Sequence, residues 1–535
     1  MSKAADMAKI SVKGGFHVMW GLVASTVISA VGTIIIGLLL GEDNYGLYAI
    51  AMTAPMMIGL FRDWGVNFAI TRYSAQNKAE DQTAKIRSIL VAGLIFEFAM
   101  GVALSLIGFL LSDFLAVTVL KRPTIIPLIQ IASLSLIASA LVTTATSIFT
   151  GIERMHFNSI MIVSQSILKT ALIITLVFLG LGTAGAVTGF TVANLLTGLI
   201  GLLFMFTIYK KLPKPTGGKL QIGQNIKIML KYGLPLSIAI ILGGFLAQYY
   251  NFLLYAYLSN NALIGNLTMA QNFVVLITFF ATPVTTMLFP AFSKLNHEKD
   301  AETLQNVFQK SVKYASLLVV PVTAMIMTLA QPAISTLFGN TYAEAPLFLA
   351  LLAITYLYTL LGSLSIGSLI NGQGQTTFNL ILTVISAAVG FPLGFILISN
   401  YVVLGLIATT LITGIPGTII ALIFIKKRYN VTVNWNSSVK ILISSAAAAT
   451  LTYLLLTQLN TFSSLTRLII GVAIFTPTYL VAAILTRTFD TADINNLRDM
   501  LTALGPLRSI LNIALNIIEK LMTTLTPNKK PDSTE

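Results

Sequence analysis

The sequence contains no cysteine, so disulfide bonds and thiolate chemistry are excluded. Charge is also scarce, because 10% of the 535 residues are Asp, Glu, Lys or Arg, against about 25% in soluble domains. Histidine occurs at three positions that lie far apart, His17, His156 and His297, and no metal-ligand spacing joins them. The sequence therefore predicts neither a metal site nor a protein built for water.

Several functional classes lack their usual motifs. No glycine-rich phosphate loop with its lysine is present, so ATP hydrolysis by this chain is not supported. No catalytic group and no cofactor are predicted. The net charge of +14 does not indicate nucleic-acid binding, because the basic residues lie between apolar runs rather than in one block. We also expect no cleavable signal peptide, since the first apolar run, 16–40, is too long for one.

The sequence is rich in long hydrophobic runs. Hydrophobic residues make up 56% of the chain, and its mean hydropathy is +0.85. A helix needs roughly 20 apolar residues to cross about 30 Å of hydrocarbon. We therefore predict an all-α, polytopic integral membrane protein with about fourteen spans: 16–40, 46–71, 88–111, 125–149, 159–180, 184–208, 233–258, 266–289, 314–337, 345–369, 378–398, 402–425, 439–457 and 465–486.

The distribution of basic residues predicts the orientation. Most of the 33 Lys and Arg residues fall in segments that are inside if the N-terminus is inside, and the predicted outer loops hold only Lys121, Arg122 and Arg467. Cytoplasmic loops carry such an excess of positive charge. We therefore expect a multi-pass protein of the cell membrane with both termini in the cytoplasm. The loop after the sixth span is the most basic, with Lys210, Lys211, Lys214, Lys219, Lys227 and Lys231.

An internal repeat predicts the domain organisation. LLLGEDNYGLYAIA, around Gly46, links spans one and two, and YLSNNALIGNLTMAQ, around Gly265, links spans seven and eight. Both halves then begin inside, so the repeat is parallel, as in carriers with two halves. The predicted parts are a cytoplasmic N-terminus (1–15), an N-lobe (16–208), a basic linker (209–232), a C-lobe (233–425), spans 13 and 14 (439–486) and an amphipathic cytoplasmic tail (487–535). A second amphipathic helix, lying on the membrane, is predicted near 300–313.

Motifs in both halves resemble a known family. LGEDNYGLYAIA followed by FRDWGVNFAITRYSAQ resembles the opening of the polysaccharide-biosynthesis flippases (Wzx-type), within the multidrug/oligosaccharidyl-lipid/polysaccharide exporter superfamily. In the second half, LAQPAISTLFGNTYAEAPLFLALLA and LINGQGQTTFNL match patterns of the same family. The resemblance covers about residues 10–430. One departure is that many relatives carry an acidic residue in span seven, where this chain has the run Gln248 to Asn251.

The resemblance implies a function. Such a protein moves a lipid-linked oligosaccharide, carried on a polyprenyl phosphate or diphosphate, from the cytoplasmic to the outer leaflet by alternating access between its lobes. The apolar spans 13 and 14 would form a groove for the prenyl tail. The implied partners are membrane lipid and the lipid-linked sugar, with glycosyltransferases of the same pathway as further candidates. We expect a monomer.

Ionisable residues inside spans are the main candidates for a substrate cavity, because a charge at mid-membrane costs roughly 2.5–3.5 kcal/mol on insertion scales. Lys169, at mid-depth in span five, either attracts the lipid phosphate or forms an internal ion pair, for which Glu97 in span three is the obvious partner. Arg62 and Asp63 lie past the middle of span two. There Arg62 is expected to face the cavity, and Asp63 could orient the neighbours of Arg62 or cap a break before Gly65. Arg72 is either a cavity residue or an ordinary inner anchor.

Two amides in span seven complete the candidate set. Gln248 and Asn251 belong to a polar run, with Tyr249 and Tyr250, in an otherwise apolar helix. Polar groups in hydrocarbon need partners. These side chains therefore either bind sugar hydroxyls in the cavity or form hydrogen bonds between helices.

Two other functions remain open from sequence. A cation-coupled multidrug exporter of the same superfamily would need a net acidic cavity. The acids in the spans are Asp63 and Glu97, each expected near a basic residue. A membrane glycosyltransferase or ligase usually places carboxylates and histidines in a sizeable loop, whereas the outer loops here are short and contain no histidine.

Overall fold

The computed structural model describes residues 3–214, 220–278, 280–281 and 292–488, together with residues 493, 494, 498, 512, 516, 519 and 520. All regular secondary structure in this part of the chain is helical. The all-α class predicted from sequence is therefore confirmed.

Fifteen α-helices are numbered here in chain order. Short π or 3-10 turns (Phe114–Val119, Pro123–Ile125, Val177–Leu181 and Ile354–Leu361) connect or extend several of them. The helices are α1 Lys3–Gly59, α2 Val66–Ala79, α3 Thr83–Leu110, α4 Ile126–Ser133, α5 Ser135–Gly151, α6 Met155–Leu176, α7 Gly182–Lys211, α8 Ile222–Tyr257, α9 Asn261–Val274, α10 Ala301–Phe338, α11 Ala345–Ala353, α12 Ser363–Gly372, α13 Thr376–Tyr429, α14 Trp435–Gln458 and α15 Ser464–Leu485.

Nine helical stretches within the described residues are long and apolar enough to cross a membrane, or up to ten if the bent pair 345–361 and 363–372 forms one span. Three of the stretches contain a residue with non-helical backbone angles: Gly41, Gly180 and Val402. Gly41 and Gly180 coincide with predicted outer turns, so two spans meet at each. The predicted eighth span, 266–289, lies partly outside the described residues, and the count of fourteen remains a prediction.

The chain forms two compact units. Unit 1 comprises residues 1–269 and 383–413, and unit 2 comprises residues 270–382 and 414–535. These boundaries differ from the lobes predicted from sequence, because α8 and most of α9 belong to unit 1. The lobe boundaries remain a prediction.

Close backbone contacts join the two repeat motifs inside unit 1. A methyl group added at Gly46 would overlap the carbonyl of Asn261, and one added at Gly265 would overlap the carbonyl of Glu42. Nearby, the Asn266 amide donates a hydrogen bond of 2.6 Å to the Glu42 carboxylate. The two glycines that the repeat makes equivalent thus lie against each other, where no larger residue fits.

Arg122 fixes the C-terminal end of α8 within unit 1. Its guanidinium donates hydrogen bonds to the carbonyls of Tyr255 (2.7 Å) and Leu258 (2.5 Å) and to the side chain of Asn261 (2.9 Å). The last carbonyls of a helix have no partner within the helix, and a cation there also opposes the negative end of its dipole. Arg122 thus supplies both the missing donors and the favourable charge.

In unit 2, the predicted membrane-surface helix at 300–313 is wrong. These residues form the first three turns of α10, which continues without a break to Phe338. Leu304, Phe308 and Val312 are buried in a cluster with Phe292 and Ile366. The helix is amphipathic here because its apolar stripe packs against protein. Periodicity alone does not distinguish a stripe buried in protein from one buried in lipid headgroups.

The predicted amphipathic tail, 487–535, lies largely outside the described residues. Where it is described, its first part is anchored to α10. The Lys313 amine forms a 2.5 Å ion pair with Asp493, Tyr314 donates a hydrogen bond to the same carboxylate, and Ile494 is buried.

Candidate functional site

The second predicted span is interrupted at the position of its charged residues. α1 ends at Gly59 and α2 begins at Val66, so the residues of the predicted span 46–71 do not form one continuous helix. Trp64 and Gly65 between them have φ angles of 50° and 76°, a left-handed conformation that ends an α-helix. Arg62 and Asp63 therefore lie on irregular backbone, which is tolerated at membrane depth only where protein or a wet cavity surrounds it.

The break is wide enough for α8 to approach its backbone. A Cβ atom on Gly65 would overlap the backbone of Gly233, and one on Gly233 would lie 2.8 Å from the Trp64 carbonyl oxygen. Pro235 follows two residues later inside α8. Position 65 thus requires glycine for two reasons, its positive φ angle and the lack of space for a side chain. Position 233 requires it for the second reason only.

Arg62 forms a buried ion pair with Glu97 of α3. The guanidinium Nη1 donates to Glu97 Oε2, and the residues are 7% and 0% exposed. The other carboxylate oxygen accepts a hydrogen bond of 3.1 Å from the Asn67 amide, and Asn67 also lies 3.5 Å from the Thr143 hydroxyl of α5. Three helices and the break therefore meet at one polar network inside unit 1.

Asp63 acts on the backbone beside this pair. Its Oδ1 accepts a hydrogen bond of 2.9 Å from the Asn67 backbone N–H, in the first turn of α2, and so satisfies one of the four donors that a helix start leaves open. Its carboxyl group also interacts with that of Glu97. Asp63 therefore holds Asn67 in place and adds a second acid to the network, as the suggestion of a capped break before Gly65 required.

Of the two alternatives for Lys169, the internal ion pair with Glu97 is wrong. Glu97 pairs with Arg62, and no described acidic side chain forms an ion pair with Lys169. Lys169, on α6, is half-buried, and its amine lies 5.7 Å from the centre of the Phe190 ring of α7. One turn earlier, Gln165 donates a hydrogen bond of 2.7 Å to Asn194, so this face of α6 presents polar groups to α7.

Arg72 lies apart from that network. Its side chain is exposed and stacks over the ring of Tyr232 of α8 at 4.3 Å. Arg87 of α3 makes a similar contact with Tyr209, at 3.9 Å, and donates to the Leu212 carbonyl. The Arg72 contact is a cation–π attraction that joins α2 to α8. The geometry therefore favours the inner-anchor interpretation of Arg72.

The polar run of α8 divides into two pairs. Tyr249 donates to the Phe391 carbonyl at 3.2 Å and Tyr250 lies 3.2 Å from the Thr413 hydroxyl, so both tyrosines are bound to α13. Gln248 and Asn251 are half-buried, and neither amide has a hydrogen-bond partner among the described residues. These two amides are the members of the run left open to a ligand.

The sequence matches a known protein family over more than half of its length. The sequence profile of the family described as polysaccharide biosynthesis protein matches residues 11–296, more than half of the chain. The chain belongs to this family. The resemblance found in the sequence is confirmed.

Two relatives match most of the chain at low sequence identity. The uncharacterised membrane protein MJ1375 of Methanocaldococcus jannaschii is 23% identical over 419 residues, covering 73% of this chain and 92% of that protein. Stage V sporulation protein B of Bacillus subtilis is 22% identical over 424 residues, covering 72% and 82%.

Solved structures share the fold. The lipid II flippase MurJ in an inward closed conformation superposes with a TM-score of 0.70 at 16% identity, covering 88% of this chain and 98% of that one. An inward-facing multidrug resistance MATE transporter of the MOP superfamily gives 0.59 at 17% identity, covering 77% and 98%. The fold is thus one that a flippase and a multidrug transporter also have. The chain is a multi-pass membrane protein of the polysaccharide biosynthesis family.

Two residues of the network, and one glycine of the contact between α8 and the break, were not found from sequence. Asn67 and Thr143 are polar residues in apolar spans, which is the available signal, but Ser and Thr are frequent in spans. Gly233 had no signal, because only the position of α8 against the break shows why it is glycine.

Proposed function

We propose that this protein is a flippase for a lipid-linked oligosaccharide, carried on a polyprenyl phosphate or diphosphate, and moves it from the cytoplasmic to the outer leaflet by alternating access. The family and the flippase fold support this class of substrate. We place the protein in the cell membrane with both termini in the cytoplasm, as a monomer that receives its substrate from glycosyltransferases of the same pathway.

The observation that carries the proposal is the buried Arg62–Glu97 pair at the break. A guanidinium and a carboxylate that neutralise each other can remain inside a membrane protein, whereas either alone is strongly unfavourable there. A lipid phosphate offers Arg62 the same bidentate geometry as a carboxylate. Substrate binding therefore exchanges one anion for another at Arg62, and Glu97 takes up a proton when its cation is withdrawn, so that no isolated carboxylate is left buried.

The other candidate residues have separate roles in this exchange. When Arg62 turns to a phosphate, Glu97 keeps its hydrogen bond from Asn67. Lys169, which lacks an ion pair with any described acid, supplies a second positive charge for a diphosphate. Gln248 and Asn251 have donors and acceptors free for sugar hydroxyl groups. Arg72 and Asp63 hold helices in position.

The alternative is a cation-coupled multidrug exporter, whose fold the chain also shares. That function favours a net negative cavity for cationic drugs. Here the two acids, Asp63 and Glu97, are balanced by two basic residues, Arg62 and Lys169. These charges therefore do not provide the net negative cavity that a cationic drug needs.

Complementation tests the proposal. In strains each lacking one flippase for a lipid-linked saccharide, this chain should restore the surface glycan in at least one, and Arg62→Ala should not, at equal amounts in the membrane. Lys310→Ala, at an exposed position of α10, is the matched control and should complement fully. Export of cationic dyes with no rescue of any strain would favour the multidrug function and overturn the proposal.

A further inference from the structure

Unit 2 contains a cavity that the proposed transport function does not use. Its volume is about 220 Å³, and it lies where α10, α11, α14 and α15 approach one another. Arg467 of α15 lines it, together with Thr328 and Gln331 of α10 and Tyr453 of α14. No acidic residue is among the side chains that line it.

The face of α15 that carries Arg467 is directed toward α10. Gly471, one turn on, lies so close to α10 that an added methyl group would overlap Leu329. Phe475, two turns on, is 2% exposed, and Tyr479, three turns on, approaches the Leu317 carbonyl. Residues four apart share one face of a helix, so Arg467 lies at the end of a packed seam rather than toward lipid.

The guanidinium of Arg467 has no neutralising partner among the residues that the structure describes. Its Nε is buried without a hydrogen-bond acceptor, and no described side chain forms an ion pair with it. Leaving such a donor unmatched costs about 1–3 kcal/mol. Arg467 also lies at the predicted outer end of the last span, on the side of the membrane where the charge rule disfavours basic residues. Both facts indicate that the arginine has an anionic partner from outside the chain.

The rest of the lining suits an amphiphile. Leu456 and Leu347 offer apolar surface for the hydrocarbon part of such a molecule, and Thr328 and Tyr453 carry hydroxyl groups that can donate hydrogen bonds. The volume is below that of typical ligand pockets, about 300–1,000 Å³. It therefore accommodates a phosphate and adjoining ester atoms but not an oligosaccharide.

We propose that this cavity binds the phosphate group of a membrane lipid, held by Arg467 on the predicted outer side of unit 2. Its source is either a phospholipid or the polyprenyl phosphate carrier, since both present the same group. The site is separate from Arg62 and Lys169, and it is tested by binding rather than by transport.

Native mass spectrometry of the purified full-length protein distinguishes the sources. Phosphatidylglycerol, a polyprenyl phosphate, inorganic phosphate and diacylglycerol are titrated separately into wild type, Arg467→Gln and Lys121→Gln. We expect at least one phosphate-bearing lipid to bind wild type and Lys121→Gln about tenfold more tightly than Arg467→Gln, and which lipid does so identifies the source. Diacylglycerol should not distinguish the variants.

The proposal would be overturned if every lipid bound wild type and Arg467→Gln equally. It would also be overturned if diacylglycerol bound wild type as tightly as the phosphate-bearing lipids do. If inorganic phosphate bound as tightly as the lipids, the cavity would be a phosphate site without a role for the lipid, which would also overturn the proposal. If Arg467→Gln fails to fold, Thr457→Trp gives a second test, because Thr457 is an exposed lining residue whose enlargement fills the cavity. Unchanged lipid binding by that variant would equally contradict the proposal.

Discussion

At the scale of single residues, the site depends on charges that neutralise one another. Arg62 and Glu97 are buried together, so removing either one leaves an uncompensated charge, whereas removing both does not. In a buried pair the loss of one partner typically costs about 3–5 kcal/mol, while apolar replacement of both is often neutral. Stability and transport should therefore respond differently to single and double substitution.

We predict that Arg62→Ala and Glu97→Ala each lower the melting temperature of the purified protein, corresponding to about 3–5 kcal/mol. The double variant Arg62→Met with Glu97→Leu should recover most of that stability and remain inactive in transport. Thermal unfolding in detergent, alongside complementation, measures both. A double variant that is stable and active would show that the pair serves packing alone.

Lys169 differs because it has no carboxylate among the described residues to leave unpaired. We predict that Lys169→Ala reduces transport by roughly tenfold or more, the effect of losing a charged hydrogen bond, with little change in melting temperature. Lys169→Arg should retain most activity. Initial transport rates at matched protein levels provide the measurement, and full activity of Lys169→Ala would remove this residue from the mechanism.

At the scale of helices, the break between α1 and α2 depends on α8. The left-handed turn at Trp64 and Gly65 places Arg62 near Glu97, and Gly233 lets α8 lie directly against that turn. The contact leaves no space for a methyl group on either glycine. The position of α8 is therefore linked to the geometry of Arg62 through backbone alone.

We predict that Gly233→Ala destabilises the protein by about 1–3 kcal/mol, as overpacking does, and impairs transport although no polar group is changed. Gly223→Ala is the matched control, because Gly223 lies on the same helix with open space around its Cα. Melting temperatures and complementation of the two variants test this. Equal behaviour of the two would mean that α8 does not support the break.

At the scale of the whole molecule, hydrophobic length and charge distribution predicted the class and most helices. The predicted spans 439–457 and 465–486 correspond to α14 (Trp435–Gln458) and α15 (Ser464–Leu485). Such spans are predictable because every backbone group must be bonded internally in hydrocarbon. Their length is then fixed by membrane thickness.

What sequence did not predict were contacts between distant segments. Arg62 and Glu97 were both recognised as unusual, but Lys169 was the partner proposed for Glu97, because depth along a span gives no rotation about the helix axis. A break before Gly65 was suggested from Asp63, but its backbone geometry could not be predicted, for a related reason. A glycine within an apolar run is common in spans, and its φ angle is known only once the neighbouring helix is placed.

The topology can be measured over the whole chain because it contains no cysteine. Ser259→Cys and Lys214→Cys each introduce a single thiol at an exposed loop position. We predict that a membrane-impermeant maleimide labels Ser259→Cys in intact cells and labels Lys214→Cys only after permeabilisation. Labelling of both from the same side would contradict the predicted number of spans between them.

Reconstitution tests the central claim most directly, that the buried Arg62–Glu97 pair receives the phosphate of a lipid-linked sugar. In proteoliposomes carrying a fluorescent polyprenyl-diphosphate saccharide, an impermeant quencher reports how much of it has crossed to the outer leaflet. The account predicts that wild-type protein speeds this crossing, that Arg62→Ala does not, and that a fluorescent polyprenol without phosphate gains nothing from either. Equal crossing with wild type and Arg62→Ala would contradict it.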